Sequence, residues 1–471
     1  MNSIVEYIGG RSCAVLGLGV SNLPLVRMLT GEGVRVTVYD KCSPEELGEE
    51  ALSLKEAGVR FTVSDKSFEG IKEDLIFRSP GIRPDAKGIA DALARGAELS
   101  SEMELFLKLT PAKTYAITGS DGKTTSTTLT GLFMERVSKT YVGGNIGTPL
   151  LDKCNEMTDK DRAVLELSSF QLMSLSDAPT RAAITNVTPN HLDWHTGMDE
   201  YVAAKKHIVG ERTERLVTNA EFEYTFEIAK ECDREGFEIF LFSSKRSSYE
   251  DITKGAFSHA RVYALYLNGG YICISDGKTQ TKILDVSKIK LPGTHNVENY
   301  MTAIALTYGD VPTEIYLDIA KSFGGVEHRL EWVRLLDGVD YYNSSIDSSP
   351  TRTAAALSAL KNRRIVLICG GYDKKIPYAP LAEAICAHGG IRAVVLTGAT
   401  GQKIGAELDK LDADKKISRE YIADFEGAVK YARTQASAGD CVLLSPASAS
   451  FDAFKNFAER GVTFKKIVNE L

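Results

Sequence analysis

Short apolar runs that end at glycine recur along this chain, each followed by residues with helical spacing. The first is Ser12-Cys13-Ala14-Val15-Leu16-Gly17-Leu18-Gly19-Val20. Residues 21–29 read as a helix, and Pro24 is tolerated because it falls in the first turn. Val34-Arg35-Val36-Thr37-Val38-Tyr39-Asp40 then closes a strand–helix–strand unit. A second series starts near Thr110-Pro111, with strands predicted over 115–118, 163–167 and 182–187. Residues 211–290 are more polar and include a predicted hairpin over 262–274, around Asn268-Gly269-Gly270. A third series follows Phe323-Gly324-Gly325, with strands over 364–369, 393–397 and 441–444. This alternation predicts an α/β protein with parallel or mostly parallel sheets.

At 471 residues the chain has room for about three domains. Its net charge of -7 argues against a general nucleic-acid or membrane-surface binder. The eight cysteines are scattered, with no CxxC pair, which fits a reducing cytosolic compartment and disfavours a zinc ribbon. Glu6 and Gly9-Gly10 interrupt the first apolar run, so it does not read as a signal peptide. No stretch is long and apolar enough to span a bilayer.

The chemistry concentrates in Ile117-Thr118-Gly119-Ser120-Asp121-Gly122-Lys123-Thr124-Thr125, between a predicted strand and a Thr-rich helix. Backbone N–H groups of such a turn cradle phosphate oxygens, and the helix N-terminus adds partial positive charge. Lys123 is placed for the β/γ-phosphates and the Thr124 hydroxyl for Mg²⁺. The turn is shorter than the usual P-loop, and the bland alternative is a helix start with an exposed lysine. Glu166 ends an apolar strand and is followed by Leu167-Ser168-Ser169-Phe170-Gln171; beside a P-loop it reads as a Mg²⁺ ligand. In Asn186-Val187-Thr188-Pro189-Asn190-His191-Leu192-Asp193-Trp194-His195, either His191 or Asp193 could meet metal or substrate.

Three further segments are weaker. Asp40 lies about 20 residues beyond the first glycines, where a carboxylate often meets a ribose, but Asn22 replaces the third glycine of the dinucleotide fingerprint. Tyr201-Val202-Ala203-Ala204-Lys205-Lys206 reads by pattern as a helix with a solvated lysine pair. Asn296 and Asn299 could face a purine edge, although capping is the commoner role for that pattern.

In this order, the phosphate turn, Gly143-Gly144-Asn145-Ile146-Gly147, the Glu166 segment and the Asn186-to-His191 segment resemble the Mur ligases. The ending Leu444-Ser445-Pro446-Ala447-Ser448-Ala449-Ser450-Phe451-Asp452, continued by Phe454-Lys455-Asn456-Phe457-Ala458-Glu459-Arg460-Gly461, resembles the D-glutamate-adding branch. The resemblance implies a Rossmann-like domain for the UDP substrate (1–109), a central P-loop ATPase-like domain (110–323) and a Rossmann-like C-terminal domain for the amino acid (324–471). It implies ATP and two Mg²⁺ ions, with UDP-N-acetylmuramoyl-L-alanine and D-glutamate as the partners joined through an acyl phosphate. The chain is expected to act as a monomer in the cytoplasm.

Residue by residue, the resemblance implies ATP contacts at Gly119, Ser120, Asp121, Gly122, Lys123, Thr124, Thr125, Asn296, Asn299, His328 and Arg329. It implies metal contacts at Thr124, Glu166, His191 and a carbamylated Lys205; with Lys123, the last three form the catalytic set. Val20, Ser21, Asp40, Lys41 and Ser79 would hold the uridine diphosphate, and Asn145 and His191 the reacting end. Ser348, Lys374, Ser450, Phe451 and Phe457 would hold D-glutamate. One motif departs: Asn343-Ser344-Ser345-Ile346-Asp347-Ser348-Ser349 stands where the family often has Asp at 344 and Lys at 346, so Asp347 could replace the ribose contact. Alternatives are a folylpolyglutamate synthase-like ligase, an NAD-dependent oxidoreductase and a silent nucleotide-sugar binder.

Overall fold

A computed structural model describes residues 4–65, 67–192, 194–291, 293–374, 376–412, 414 and 416–471. The chain forms two compact units, Met1–Ser322 and Phe323–Leu471. The first unit carries two sheets and the second one. All three are mostly parallel.

The first sheet orders Arg60–Val63, Val36–Asp40, Cys13–Leu16, Leu75–Arg78 and Glu98–Ser100, all parallel. The strand order reverses about Cys13–Leu16, which pairs with both Val36–Asp40 and Leu75–Arg78. Ligand crevices form outside strand C-termini at such a reversal. Gly17 and Ser79 leave the two strands there. Helix Asn22–Gly31 follows the first strand, and the Asn22 amide donates to the Gly17 carbonyl at 2.9 Å and to Ser79 Oγ at 3.0 Å. The residue that broke the glycine fingerprint therefore pins the turn shut.

The central sheet has nine strands. Lys113–Thr118 lies between Arg162–Glu166 and Arg181–Ile184, parallel to both. Except for Lys113 and Arg162, these three strands are buried throughout, which is why they read as continuous apolar runs rather than alternating ones. The predicted hairpin is present as Arg261–Asn268 and Tyr271–Ser275, extended antiparallel by Gln280–Asp285. One apolar core runs from Cys13 and Leu75 of the first sheet to Leu165 and Ile184 of the central one.

In the second unit, Asp440–Leu444 sits between Val339–Asn343 and Arg364–Gly370, parallel to both, and Glu331–Leu336 adds an antiparallel edge. Loops 344–349, 371–378 and 445–456 leave the same ends of these strands. All eight cysteines are free. Among the described residues no helix is long and apolar enough to cross a membrane.

Candidate active site

Strand Lys113–Thr118 ends at Gly119, and helix Lys123–Glu135 begins after Gly122, so the phosphate turn has its expected setting. Two glycines are required there. Gly119 has φ 151°, and a Cβ would stand 1.8 Å from Thr185 Oγ1; Gly122 has φ 79°, and a Cβ would stand 2.4 Å from Asn299 Oδ1. The turn is moulded from below by Asn186, whose Oδ1 accepts from the backbone N–H of Ser120 (3.1 Å) and Asp121 (2.9 Å). Thr185 Oγ1 donates to the Asp121 carbonyl at 2.6 Å. Lys123 Nζ folds over the turn and donates to the Gly119 and Ser120 carbonyls, both at 2.9 Å.

Asp121, Gly122, Thr185, Asn186, His295 and Asn299 open onto a cavity of about 340 Å³. Asn296 and Asn299 do not cap helix Thr294–Thr307; Gly293 holds the N-cap, and both Asn side chains are buried. Asn299 receives a 3.3 Å hydrogen bond from Ser126 Oγ of the phosphate-turn helix and donates to Asn296 at 3.2 Å. The capping expectation fails because both residues lie inside the helix.

Glu166 is 2 % exposed at the end of its strand. Oε1 accepts from Asn145 Nδ2 at 2.9 Å, and Oε2 is a buried oxygen with no hydrogen-bond partner among the described residues. A carboxyl oxygen so placed beside a phosphate turn fits a Mg²⁺ ligand, because Mg²⁺ binds through one or two carboxylates and is completed by phosphate and water. No group of three or more His, Cys, Asp or Glu gathers as a metal cage among the described residues.

Lys205 corrects the pattern-based reading of a solvated pair. It is 1 % exposed, and Nζ donates to the Gly119 carbonyl at 2.9 Å and lies 4.5 Å from the Tyr201 ring centroid. Burial, followed by the charge of Lys123, holds its pKa well below the usual lysine value. Lys206 stays outside, paired with Glu231. The signal was present: Tyr201, Ala204 and Lys205 fall at i, i+3 and i+4, and all three are buried.

His191 is exposed at φ 55°, edge-on to Phe170 at 5.0 Å. Asp193 lies outside the described residues. The neighbouring His195, which the sequence did not single out, is the buried one. Its Nδ1 is 3.0 Å from Glu200 Oε2 and its Nε2 3.0 Å from Ser169 Oγ. This resembles a hydrolase triad, but Ser169 is buried. Arg83 grips the same Glu200 carboxylate at 2.9 Å and is the first cause holding its pKa down, to about 2.

At the first sheet, Val20 is 79 % exposed and Lys41 is exposed, while Ser21 and Ser79 are half-buried. Both Asp40 oxygens are engaged by backbone, accepting from the N–H of Leu18 at 2.8 Å and Cys42 at 3.1 Å. Asp40 thus shapes the turn it was expected to face.

In the second unit, Tyr372 pairs with Ala449, and the rings of Tyr372 and Phe451 meet edge-on at 5.9 Å. This brings the loop of exposed Lys374 beside Ser450, which is buried, and Phe451, which is exposed. Phe457 lies edge-on to His328 at 6.0 Å. His328 is buried with its pKa lowered by desolvation, and its Nδ1 accepts from Asn343 Nδ2 at 3.0 Å; Arg329 is exposed. Ser344 Oγ accepts from the Leu330 N–H, and Asp347 is buried and accepts from Ser445 Oγ at 2.8 Å. Ser348 is half-buried in the same loop. Arg460, also missed by the sequence reading, is buried and donates to Ser345 and to the carbonyls of Ser448 and Ala449, tying loops 344–349 and 445–450 together.

A glycine-moulded phosphate turn, capped by lysine and flanked by a strand-end carboxylate, defines the P-loop class of nucleotide-binding proteins. Three family models match in chain order: the MurD-like N-terminal domain of Mur ligases over residues 11–101, the Mur ligase middle domain over 117–307, and the Mur ligase glutamate ligase domain over 328–448. The chain belongs to the Mur ligase family. It is 43 % identical to a Ruminiclostridium cellulolyticum protein named UDP-N-acetylmuramoylalanine–D-glutamate ligase, over 100 % of both chains. A Clostridium novyi protein of the same name is 44 % identical over 100 % of this chain and 99 % of its own. Among solved structures, UDP-N-acetylmuramate-alanine ligase MurC from Thermotoga maritima shares the fold at TM-score 0.54 and 18 % identity, covering 98 % of this chain and 99 % of that one.

Proposed function

We propose that this chain is an ATP-dependent ligase that joins D-glutamate to UDP-N-acetylmuramoyl-L-alanine in peptidoglycan precursor synthesis. The observation that carries this reading is the phosphate turn, with Lys123 above it and, beside it, a Glu166 oxygen that has no hydrogen-bond partner among the described residues. Full-length likeness to proteins named for this activity supports it. The domain boundaries 1–109, 110–323 and 324–471, a monomeric state and a cytoplasmic location belong to the same proposal.

In the reaction, the carboxylate oxygen of the muramoyl-alanine nucleotide attacks the γ-phosphorus of ATP, and ADP leaves. The amine of D-glutamate then attacks the acyl carbon and gives up a proton, and phosphate departs with the carboxylate oxygen it received. Gly119 to Thr125 hold the phosphates by backbone N–H groups, and Lys123 swings from its own turn to the β/γ oxygens. Such transfer needs positioning and charge neutralisation more than a protein nucleophile. Thr124, Glu166, His191 and a carbamylated Lys205 would hold two Mg²⁺ ions, which neutralise charge between the reacting anions when bound. Asn145 orients Glu166 and stands near the reacting end.

Asn296, Asn299, His328 and Arg329 would contact the nucleotide. Val20, Ser21, Asp40, Lys41 and Ser79 would hold the uridine diphosphate. Lys374 would pair with one D-glutamate carboxylate, and Ser348, Ser450, Phe451 and Phe457 would enclose the rest. The test is ligation with a panel of D- and L-amino acids, read by product mass. Product with D-glutamate alone is expected, and its loss by about 10³-fold in Lys123→Ala. Product with another amino acid but not D-glutamate would overturn the substrate assignment.

A further inference from the structure

The loop after strand Leu75–Arg78 carries Ser79, a nucleotide-sugar contact in the reading above, and ends in Arg83. Both arginines flanking this loop reach into the central sheet's loops. Arg78 is buried and donates to the Phe170 carbonyl at 2.6 Å, to Ser174 Oγ at 3.0 Å, and back to the Ile82 carbonyl at 2.7 Å. Arg83 donates to the Trp194 carbonyl at 2.6 Å, stacks over the Trp194 ring at 5.0 Å and pairs with Glu200 at 2.9 Å.

Glu200 lies in the first turn of helix Met198–Lys206. The same helix touches the phosphate turn twice. Tyr201 OH is 3.0 Å from Ser120 Oγ, and Lys205 Nζ donates to the Gly119 carbonyl. Glu200 also fixes His195. Because the carboxylate only accepts, Nδ1 carries the proton, and in a neutral imidazole Nε2 then accepts from Ser169, three residues after Glu166. Every link from the Ser79 loop to the phosphate turn and the Glu166 segment is a direct contact between buried or half-buried groups.

We propose that helix Met198–Lys206 is a lever through which the loop carrying Ser79 and Arg83 sets the geometry of the phosphate turn, with Arg83 and Glu200 as positioning residues. Nucleotide-sugar and ATP sites are then energetically coupled through one rigid helix, and coupling between two sites is reciprocal. This inference rests on the ligand assignments of the proposed function.

The test is calorimetric binding of a non-hydrolysable ATP analogue with Mg²⁺, with and without UDP-N-acetylmuramoyl-L-alanine. Wild type is expected to bind the analogue about fivefold or more tightly with the sugar nucleotide present, within the usual range of coupling. Arg83→Gln and Glu200→Gln should each reduce this factor below about twofold, the double variant should go no further, and Arg83→Lys should recover part of it. Affinity for each ligand alone should stay within about twofold. A second readout uses Trp194, which is the sole tryptophan once Trp332→Phe is made. The sugar nucleotide alone should shift its emission, and Arg83→Gln should abolish the shift. Coupling retained in the variants, coupling absent from wild type, or weakened binding of each ligand with the factor intact would overturn the lever. Failure of wild type to bind either ligand would overturn the functional reading as well.

Discussion

Glu102 is a buried carboxyl with no ion pair among the described residues. Oε1 has no hydrogen-bond partner there, and desolvation raises its pKa to about 7 from 4.5. Between those values the folded state holds a proton that the unfolded state has released, so stability falls as pH rises from about 4.5 through 7. Ionisation above that window costs the folded state about 3 kcal/mol. Glu102→Gln removes this term. Its melting temperature should exceed wild type by several degrees at pH 8 and match it near pH 5. An equal difference at both values would refute the assignment. Lys205 makes a second single-residue case. Burial lowers the pKa of this amine, and its neutral form can attack carbon dioxide, forming an N–C bond and releasing a proton. Protein kept in bicarbonate should carry the mass of one added CO₂, lost in Lys205→Arg. Degassed, bicarbonate-free enzyme should lose most of its turnover and regain it when bicarbonate returns.

The element that organises the site is the turn between strand Lys113–Thr118 and helix Lys123–Glu135. Gly122→Ala would put a Cβ against Asn299 at a left-handed φ. The variant should lose about 1–3 kcal/mol by denaturant unfolding and bind the ATP analogue at least tenfold more weakly. Unchanged affinity would mean that the turn does not grip phosphate. This element was legible because its glycines, lysine and flanking apolar strand are contiguous. The strands read from the sequence lie within a few residues of the observed ones, but Arg60–Val63, Leu75–Arg78 and Glu98–Ser100 of the first sheet, Thr140–Gly144, Arg215–Asn219 and Glu238–Phe242 of the central sheet, and Ser418–Tyr421 of the third were not read. The Arg83–Glu200–His195–Ser169 chain was not legible either. Arg83 and Glu200 are 117 positions apart, and no local period links them. Asn22 read as a defect in a glycine motif, whereas its amide replaces the missing constraint by bonding across to Ser79. Asp347 shows a limit of motif matching: it is buried and accepts from Ser445 Oγ, a contact between loops that no local pattern signals.

At the scale of the whole molecule, three mostly parallel sheets each present loops from strand C-termini, and most candidate contacts for the three reactants sit at those strand ends, on those loops or on a helix beyond them, whereas His328 and Arg329 precede strand Glu331–Leu336. Phosphate grip, strand-end carboxylate and buried lysine come together in the first unit, while the loops matched to amino-acid binding lie in the second. The central claim is that the phosphate turn activates a carboxylate by transferring phosphate to it. Labelling both carboxylate oxygens of UDP-N-acetylmuramoyl-L-alanine with heavy oxygen, and analysing the released phosphate by mass spectrometry during ligation of D-glutamate, tests this directly. One labelled oxygen should pass into each phosphate released, with the other retained in the new amide. Unlabelled phosphate alongside normal product would contradict the account.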